Sequence, residues 1–300
     1  MPHRRRTAAL LPVLVLLAGC SGGVARDLGM TVDGPFGARP TITFAGGAPA
    51  AGLKVEELAT GDGARLGADD TAIVQYTAHV WDGRENRLVD STFDRGTPAA
   101  FPLGELPPGL DGALRGRRVG SRVLAALPPD QRRGARLPPG VGPDDELVYV
   151  VDILGAHPKG ASVEAGGGSL AGVRVSAGAP PGLEVPATAP PAAFEAKVLA
   201  RGQGRGTRAG QLVVAQYEGA IWSRRRVFEA TWTSGRPKAF RIGDGGVPKG
   251  WEAALVGVPA GSRVLMVVPP SYGYGPAGDP AHGITGTDTL VYVVDVIAAY

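Results

Sequence analysis

The sequence predicts an α+β protein in which a curved antiparallel sheet, with one short helix against it, occurs twice. Three observations predict this fold: a repeat of roughly 100 residues, runs of β-branched residues that follow glycine-rich turns, and one helical spacing of apolar residues in each repeat. The 300 residues are enough for two domains of ordinary size. The 47 glycines and 27 prolines, beside 44% hydrophobic residues, are typical of compact, turn-rich β domains joined by linkers.

The repeat is visible in pairs of matching positions. These pairs are Tyr76 with Tyr217, Phe101 with Phe240 and Leu147 with Leu290. Their separations are 141, 139 and 143 positions. A nearly constant offset indicates a duplicated domain with small insertions in its loops.

Strands are predicted where β-branched and aromatic residues cluster between turns. The runs are 71–76, 122–127 and 147–152 in the first copy and 211–217, 263–268 and 290–295 in the second. A short helix is predicted in each copy, because apolar residues recur at i, i+3 and i+4 directly after a proline-glycine segment. These residues are Leu110, Ala113 and Leu114 in the first copy and Trp251, Ala254 and Leu255 in the second.

The domain boundaries follow changes in composition, with glycine- and proline-rich stretches between the copies. We expect a lipoprotein signal peptide over 1–19, a flexible tether over 20–35, a first domain over 36–158, a linker over 159–182 and a second domain over 183–300. Residues 34–45 are predicted as a lead-in strand of the first domain.

The charge distribution excludes a nucleic-acid-binding function. The formal net charge is only +3, and three arginines at positions 4–6 account for it. No basic stripe interleaved with aromatic residues is present elsewhere in the sequence. The single cysteine, Cys20, excludes an intrachain disulfide and a cysteine-cluster metal site.

Residues 1–20 predict export and lipid anchoring. The arginines precede an apolar run over 7–17, which is too short to span about 30 Å of hydrocarbon and has the length of a signal-peptide core. The segment 17–20, Leu-Ala-Gly-Cys, resembles a bacterial lipobox, in which the cysteine becomes the lipidated N-terminus. A plain secretory signal with a chance cysteine is the alternative, and the general and twin-arginine export routes both stay open. We therefore expect the protein at the extracytoplasmic face of the cell membrane, held through lipid on Cys20.

The motifs of the second copy resemble those of FKBP-type peptidyl-prolyl cis-trans isomerases over about residues 194–300. The segments that carry the resemblance are QYEG 216–219, FE 228–229, FRIG 240–243, VPKGWE 247–252 and PPSYGYG 269–275. The first copy resembles the family more distantly, through residues 75–77, 90–96, 101–104 and 147–149. The resemblance implies two tandem FKBP-like domains, each an antiparallel β half-barrel wrapped on one short helix.

The resemblance also implies an apolar pocket in the second copy. The implied catalytic positions are Tyr217, Phe228, Glu229, Trp251, Tyr274 and Tyr292, and the implied substrate-binding positions are Phe240, Val247, Pro248 and Ile284. Rotation about an X-Pro amide has a barrier of about 18–20 kcal/mol, because resonance is lost in the twisted state. A dry aromatic pocket disfavours the polar planar form, so no nucleophile, metal or cofactor is expected.

Both copies depart from the family pattern. The second copy has Glu229 where the family has aspartate, and Ser234 where an arginine is usual. The first copy keeps Asp90 and Arg95 but has Leu110 at the position of the floor tryptophan. Pro107 and Pro248 replace a residue whose backbone N–H commonly contacts the ligand, and proline has no N–H to donate. The pocket positions of the first copy, which we expect to be degenerate, are Tyr76, Asp90, Arg95, Phe101, Leu106, Leu110 and Tyr149.

Two functions stay open from the sequence. The first is an isomerase that acts on X-Pro bonds of unfolded or extracytoplasmic client proteins, mainly through the C-terminal domain. The second is a non-catalytic FKBP-like binding or chaperone lipoprotein, since aromatic residues on strands are most often core residues. Trp222 and Trp232, near basic residues, are expected to be exposed and to contact clients.

Overall fold

The computed structural model describes residues 23–25, 29–44, 51–83, 85–134, 137, 139–164 and 166–300, and no side chain of 23–25. The predicted signal peptide and Cys20 lie outside the described residues. Within the described ranges, no helix is long and apolar enough to cross a membrane.

Two six-stranded antiparallel sheets form the body of the molecule. The first contains β4 (Lys54–Ala59), β5 (Thr71–Trp81), β6 (Asn86–Ser91), β7 (Ala99–Pro102), β8 (Arg122–Leu127) and β9 (Glu146–His157). The second contains β13 (Glu195–Ala200), β14 (Leu212–Ile221), β15 (Arg226–Ala230), β16 (Lys238–Arg241), β17 (Ser262–Val268) and β18 (Leu290–Ala299). The strand orders, β4-β8-β9-β5-β6 and β13-β17-β18-β14-β15, are equivalent, with β7 on β5 and β16 on β14. The predicted α+β class is confirmed, with a six-stranded antiparallel sheet that occurs twice.

One helix covers the inner face of each sheet, as predicted. Helix α2 (Pro108–Leu114) buries Leu110, and helix α3 (Lys249–Leu255) buries Trp251 at the same place in the second domain. Both helices begin directly after a proline, whose fixed φ suits the start of a helix.

The two domains differ in the capping of the turn that follows β6 in the first domain and β15 in the second. In the first domain the Ser91 side chain accepts from two backbone N–H groups and starts the one-turn helix α1 (Thr92–Arg95). The second domain has Ala230 at this position, which offers no capping oxygen, and only a 3-10 turn follows over Thr231–Thr233. Arg95 is the last residue of α1, so this cap helps to orient its side chain.

A three-stranded sheet covers the outer face of each large sheet, and this corrects two predictions. Strands β1 (Gly23–Ala25), β2 (Met30–Asp33) and β3 (Thr41–Phe44) form the first, and β10 (Gly168–Leu170), β11 (Val173–Val175) and β12 (Leu183–Glu184) form the second. Met30 and Val32 pack on Trp81, so part of the expected flexible tether over 20–35 is folded. Val173 and Val175 pack on Trp222, so the expected linker over 159–182 is folded in part as well.

The tryptophans under these small sheets are not exposed, contrary to the prediction for Trp222 and Trp232. Trp222 is buried and donates from its indole nitrogen to the Thr188 carbonyl at 2.8 Å. Trp232 is partly buried against the same cluster. Neither residue therefore offers the exposed client-contact surface that its basic sequence neighbours suggested.

A buried ion pair ties each small sheet region to its domain. Arg263 and Asp295 are fully buried and paired at 2.6 Å, and Arg263 also donates to the Gly178 carbonyl at 2.8 Å. In the first domain Arg122 and Asp152 pair at 2.6 Å, and Arg122 donates to three carbonyls of residues 34–38. The repeated arrangement anchors the lead-in segment on both domains.

The two domains contact each other directly. Ile73 from the first domain packs with Leu212 and Val214 from the second. The hydroxyl of Tyr300 hydrogen-bonds to Nε2 of His157 at 2.8 Å. Tyr300 lies over a glycine of β9, and a methyl group there would come within 1.9 Å of the hydroxyl.

Candidate functional site in the C-terminal domain

The candidate site is a pocket of about 260 Å³ between the inner face of the second sheet and helix α3. Its lining residues are Tyr217, Glu229, Lys238, Ala239, Phe240, Gly246, Val247, Pro248, Trp251, Tyr274 and Tyr292. The structure thus brings together eight of the ten positions that the resemblance implied for this domain. Five of the eleven residues are aromatic, and one carboxylate and one ammonium group also line the pocket.

Trp251 lies at the base of the pocket, where the first turn of α3 presents it. Three rings surround it edge to face: Tyr217 at 4.9 Å, Phe240 at 4.9 Å and Tyr292 at 5.1 Å between ring centroids. Perpendicular packing is a favourable arrangement for aromatic rings. The rings immobilise each other, so the pocket is formed without a ligand. Trp251 is only 5% exposed, yet it lines the open pocket.

The backbone of Tyr217 is fixed by a threonine from the next strand connection. The Thr231 hydroxyl accepts from the Tyr217 N–H at 2.8 Å and donates to the Tyr217 carbonyl at 3.2 Å. Thr92 holds Tyr76 in the same way in the first domain. Burial, together with the neighbouring Glu229 carboxylate, raises the pKa of Tyr217 above its ordinary value, so the phenol stays protonated.

An ion pair closes one side of the pocket mouth. Lys238 on β16 pairs with Glu229 on β15, and its ammonium group lies 5.9 Å from the centre of the Tyr217 ring. Lys238 supplies the positive charge that is missing at position 234, where an arginine is usual and this chain has Ser234. Lys238 was not among the predicted site residues. The only indication in the sequence is that the second copy has this basic residue where the first copy has Ala99.

Phe228 and Ile284 do not line the pocket directly. Phe228 packs edge to face behind Tyr292, with 5.7 Å between ring centroids. Ile284 was expected on a loop over the entrance, but it is 3% exposed and belongs to the domain core. Two backbone hydrogen bonds with Asp279, both 2.9 Å, draw this loop against the domain and turn the isoleucine inward.

Tyr274 supplies the hydroxyl nearest to the outer part of the pocket. It lies between two 3-10 turns and is half-buried, and burial raises its pKa above the ordinary value. Burial and the nearby Tyr274 hydroxyl likewise raise the pKa of Tyr292. Both phenols are therefore neutral hydrogen-bond donors over the physiological pH range.

The corresponding site of the first domain contains a hydrogen-bonded cluster of Tyr76, Asp90 and Arg95. The Tyr76 hydroxyl donates to Asp90, and Arg95 pairs with the same carboxylate and donates to the Tyr76 hydroxyl at 3.1 Å. The Arg95 guanidinium carbon lies 5.5 Å from the Tyr76 ring centre. Burial and the bond to Asp90 raise the pKa of Tyr76 to about 12.

The floor and walls of the first domain's site are also less aromatic. Leu110 is buried in the place of Trp251, and the rings of Phe101 and Tyr149 tilt against Tyr76 at 5.2 and 5.9 Å. Leu106 is half-buried against the same core. Arg133, at the position of Tyr274, is exposed and bonds to a local carbonyl.

The chemistry available in the C-terminal pocket is that of binding and electrostatics. Within the ranges that the structure describes, no three His, Cys, Asp or Glu side chains are placed so that they could hold a metal ion. The pocket offers an apolar base, neutral phenol donors and one neutralised carboxylate. Such a site can hold a small apolar ring and stabilise a less polar form of a group attached to it.

Comparison with known proteins gives one family. The family model described as FKBP-type peptidyl-prolyl cis-trans isomerase matches residues 63–154 and again 204–297. The chain is 33% identical over 102 residues to an FK506-binding protein of Streptomyces anulatus, a match that covers 34% of this chain and 82% of that protein. It is 34% identical over 101 residues to the FKBP-type peptidyl-prolyl cis-trans isomerase FkpA of Escherichia coli K12, which covers 34% of this chain and 36% of that protein.

Solved structures are similar to parts of the chain. The crystal structure of FkpA from Escherichia coli matches with a TM-score of 0.33 and 31% identity, over 35% of this chain and 47% of that one. The crystal structure of AtFKBP13 matches with a TM-score of 0.33 and 28% identity, over 37% of this chain and 96% of that one.

Proposed function

The chain belongs to the FKBP-type peptidyl-prolyl cis-trans isomerase family, and from this premise we propose that its C-terminal domain carries the catalytic activity. The substrates would be X-Pro bonds of unfolded or exported proteins, at the extracytoplasmic face of a membrane. The observation that carries the proposal is the preformed pocket of the second domain, in which Trp251 is fixed by three perpendicular rings.

The geometry supports catalysis by differential binding. A proline ring would rest on Trp251, while the X-Pro amide would lie near the hydroxyls at the pocket mouth. The twisted amide has lost its resonance and is less polar than the planar ground state. An apolar, water-excluding pocket therefore stabilises the twisted form relative to the planar forms, which lowers the rotation barrier. The neutral Tyr274 hydroxyl is available to donate a hydrogen bond to a client carbonyl.

The first domain would contribute little catalysis. Its pocket has Leu110 for the floor, and the cluster of Asp90, Arg95 and Tyr76 satisfies the polar groups that would otherwise face a substrate. We therefore assign the first domain a non-catalytic role.

The test is a proline-limited refolding assay with the full chain and two matched variants. Trp251→Leu gives the second domain the floor residue of the first, and we expect kcat/KM to fall at least about tenfold, equivalent to about 1.4 kcal/mol of transition-state stabilisation. Leu110→Val in the first domain is the control and should leave the rate unchanged. Equal losses in both variants, or no acceleration by the unmodified protein, would contradict the proposal.

Lipid anchoring on Cys20 completes the proposal. It is supported by the arginine-rich start, the short apolar run and the lipobox-like segment 17–20. Mass spectrometry of the membrane fraction should find an N-terminal diacylglyceryl cysteine. The Cys20→Ser variant should lose the lipid and leave the membrane; an unmodified protein without the added mass of the lipid would contradict anchoring.

A second candidate is a client-binding protein without catalysis. The observation that favours it is the helix start at Pro248, where the pocket edge lacks a backbone N–H donor. This function predicts suppression of client aggregation that is equal for clients with and without proline. The refolding assay separates the two functions, because a pure binder slows aggregation but does not accelerate a proline-limited step.

A further inference from the structure

A cleft of about 310 Å³ lies between the two domains. The first domain contributes Ala100, Pro102 and Glu105 to its walls, and the second contributes Ser234, Pro237 and Ala239. Thr71, Arg236 and Lys238 complete the lining, so four of its nine residues are small and apolar. The volume lies at the lower end of ligand-sized pockets and suits one or two side chains.

The cleft adjoins the aromatic pocket across a single strand. Lys238 and Ala239 of β16 belong to the walls of both cavities. Successive side chains of a strand point to opposite faces. Phe240 accordingly packs on Trp251 on the pocket side, while Ala239 packs in the interdomain cluster. In the part of the chain that the structure describes, β16 pairs only with β14, so its other edge is available.

An ion pair between the domains closes one end of the cleft. Arg236 donates to the Glu105 carboxylate at 2.8 Å and to the Leu103 carbonyl at 3.1 Å. Because these two charges satisfy each other, the remaining walls combine the four small apolar side chains with the polar groups of Thr71, Ser234 and Lys238. The pair also fixes the connection that leads into β16, and thereby fixes the spacing between cleft and pocket.

We propose that the cleft is a second subsite, which receives an apolar side chain of the client segment that continues beyond the bound X-Pro bond. This rests on the proposed function, since the proline in the aromatic pocket anchors the segment. A chain leaving that pocket over the edge of β16 reaches the cleft directly. The subsite uses walls from both domains, which gives the non-catalytic first domain a role in client recognition.

The test blocks the cleft chemically in the full chain. In a Cys20→Ser background, Ala100→Cys places the only thiol at the cleft wall of the first domain, away from the aromatic pocket, and N-phenylmaleimide then fills the cleft. Two peptides are compared: a blocked Ala-Pro dipeptide, and the same dipeptide extended on both sides by three residues that include leucine. Modification should weaken binding of the long peptide about tenfold, the contribution of one buried apolar side chain, and leave the short peptide unchanged.

The controls separate the possible failures. Ser234→Cys, on the opposite wall, should also weaken binding of the long peptide when modified, which shows that the effect does not come from a change in β7. Glu184→Cys, on the exposed strand β12, should have no effect when modified. Equal weakening of both peptides, or no weakening of either, overturns the subsite. Failure of the unmodified protein to isomerise the short peptide overturns the proposed function instead, while the difference in affinity between the two peptides still reports on the cleft.

Discussion

Gly219 lies so close to Phe228 that a methyl group on the glycine would meet Cζ of the ring at 2.6 Å. The same methyl group would lie 2.7 Å from Cε1 of Tyr292, which faces Gly219 on the neighbouring strand β18. The glycine is therefore required by the close packing of Tyr292, which lines the pocket, and Phe228, which supports Tyr292. The first domain has Ala78 at the corresponding position and the smaller Val89 in place of the phenylalanine.

Gly219→Ala should displace Phe228 and Tyr292 and distort the pocket wall. We expect a loss of about 1–3 kcal/mol in the free energy of unfolding, which is typical of overpacking, together with a reduced kcat/KM. Urea unfolding and the refolding assay measure the two effects.

The double variant Gly219→Ala/Phe228→Val reproduces the pair of residues found in the first domain, and it should recover most of the lost stability. Failure of this recovery would show that the steric conflict with Phe228 is not the cause. The reverse change Ala78→Gly should have only the small effect expected of added backbone freedom in a strand.

The aromatic rings of the pocket could be predicted from the sequence, but its ion pair could not. Trp251 and its partner rings were identifiable because the motifs that contain them keep their order and spacing. The role of Lys238 was not, because the lysine reaches Glu229 from a different strand, and only the folded sheet places β15 and β16 one after the other along the same edge of β14. A charge that is supplied by another strand produces no recognisable pattern in the sequence around Glu229.

Lys238→Met should expose the Glu229 carboxylate at the pocket mouth without its partner. Because this pair is partly exposed, its contribution to stability is below about 1 kcal/mol, and we expect the unfolding temperature to change little. Binding of the apolar proline ring beside an unpaired carboxylate should weaken, so KM should rise a few-fold while kcat stays nearly constant.

Adding Ser234→Arg to Lys238→Met provides the rescue. The arginine restores the cation at the position that Arg95 has in the first domain. KM should return toward its original value in peptide assays. An unchanged KM in the single variant would show that the ion pair has no part in binding.

The interdomain contact predicts a dependence of stability on pH. Burial holds the pKa of His157 below its ordinary value of 6.5, and Nε2 of this histidine faces the Tyr300 hydroxyl at 2.8 Å. Because the folded pKa is lowered, the unfolded chain takes up its proton first as the pH falls. The stabilisation is therefore complete above about pH 6.5 and is lost progressively below it.

His157→Gln should remove the part of the unfolding free energy that is lost at acid pH. The difference in unfolding free energy between the unmodified protein and the His157→Gln variant should therefore be smaller at pH 5.5 than at pH 7.5. Tyr300→Phe is the matched variant at neutral pH, and it should cost about 1 kcal/mol for one hydrogen bond. A pH profile that is identical with and without His157 would contradict the assignment.

The small sheets on the outer faces show where sequence patterns are insufficient. Strands of two to four residues, such as those around Met30 and Val173, carry too few residues for a visible alternation. Their glycine- and proline-rich neighbours resemble a linker in composition. What folds them is burial against Trp81 of β5 and against Trp222, which directly follows β14, together with the arginines that bind carbonyls of their connecting loops. These are long-range contacts.

Removal of one member of the buried ion pair should therefore destabilise a whole domain. Asp295→Ala leaves the fully buried Arg263 without its carboxylate partner, and we expect a loss of about 3–5 kcal/mol in the free energy of unfolding.

Asp152→Ala is the equivalent change in the first domain, where it should change the fluorescence of Trp81 rather than that of Trp222. Glu184→Ala breaks the exposed pair with Arg174 and is the control, for which we expect little change. Urea unfolding followed by tryptophan fluorescence distinguishes the domains; equal effects of Asp295→Ala and Glu184→Ala would show that the buried pair does not anchor the lead-in sheet.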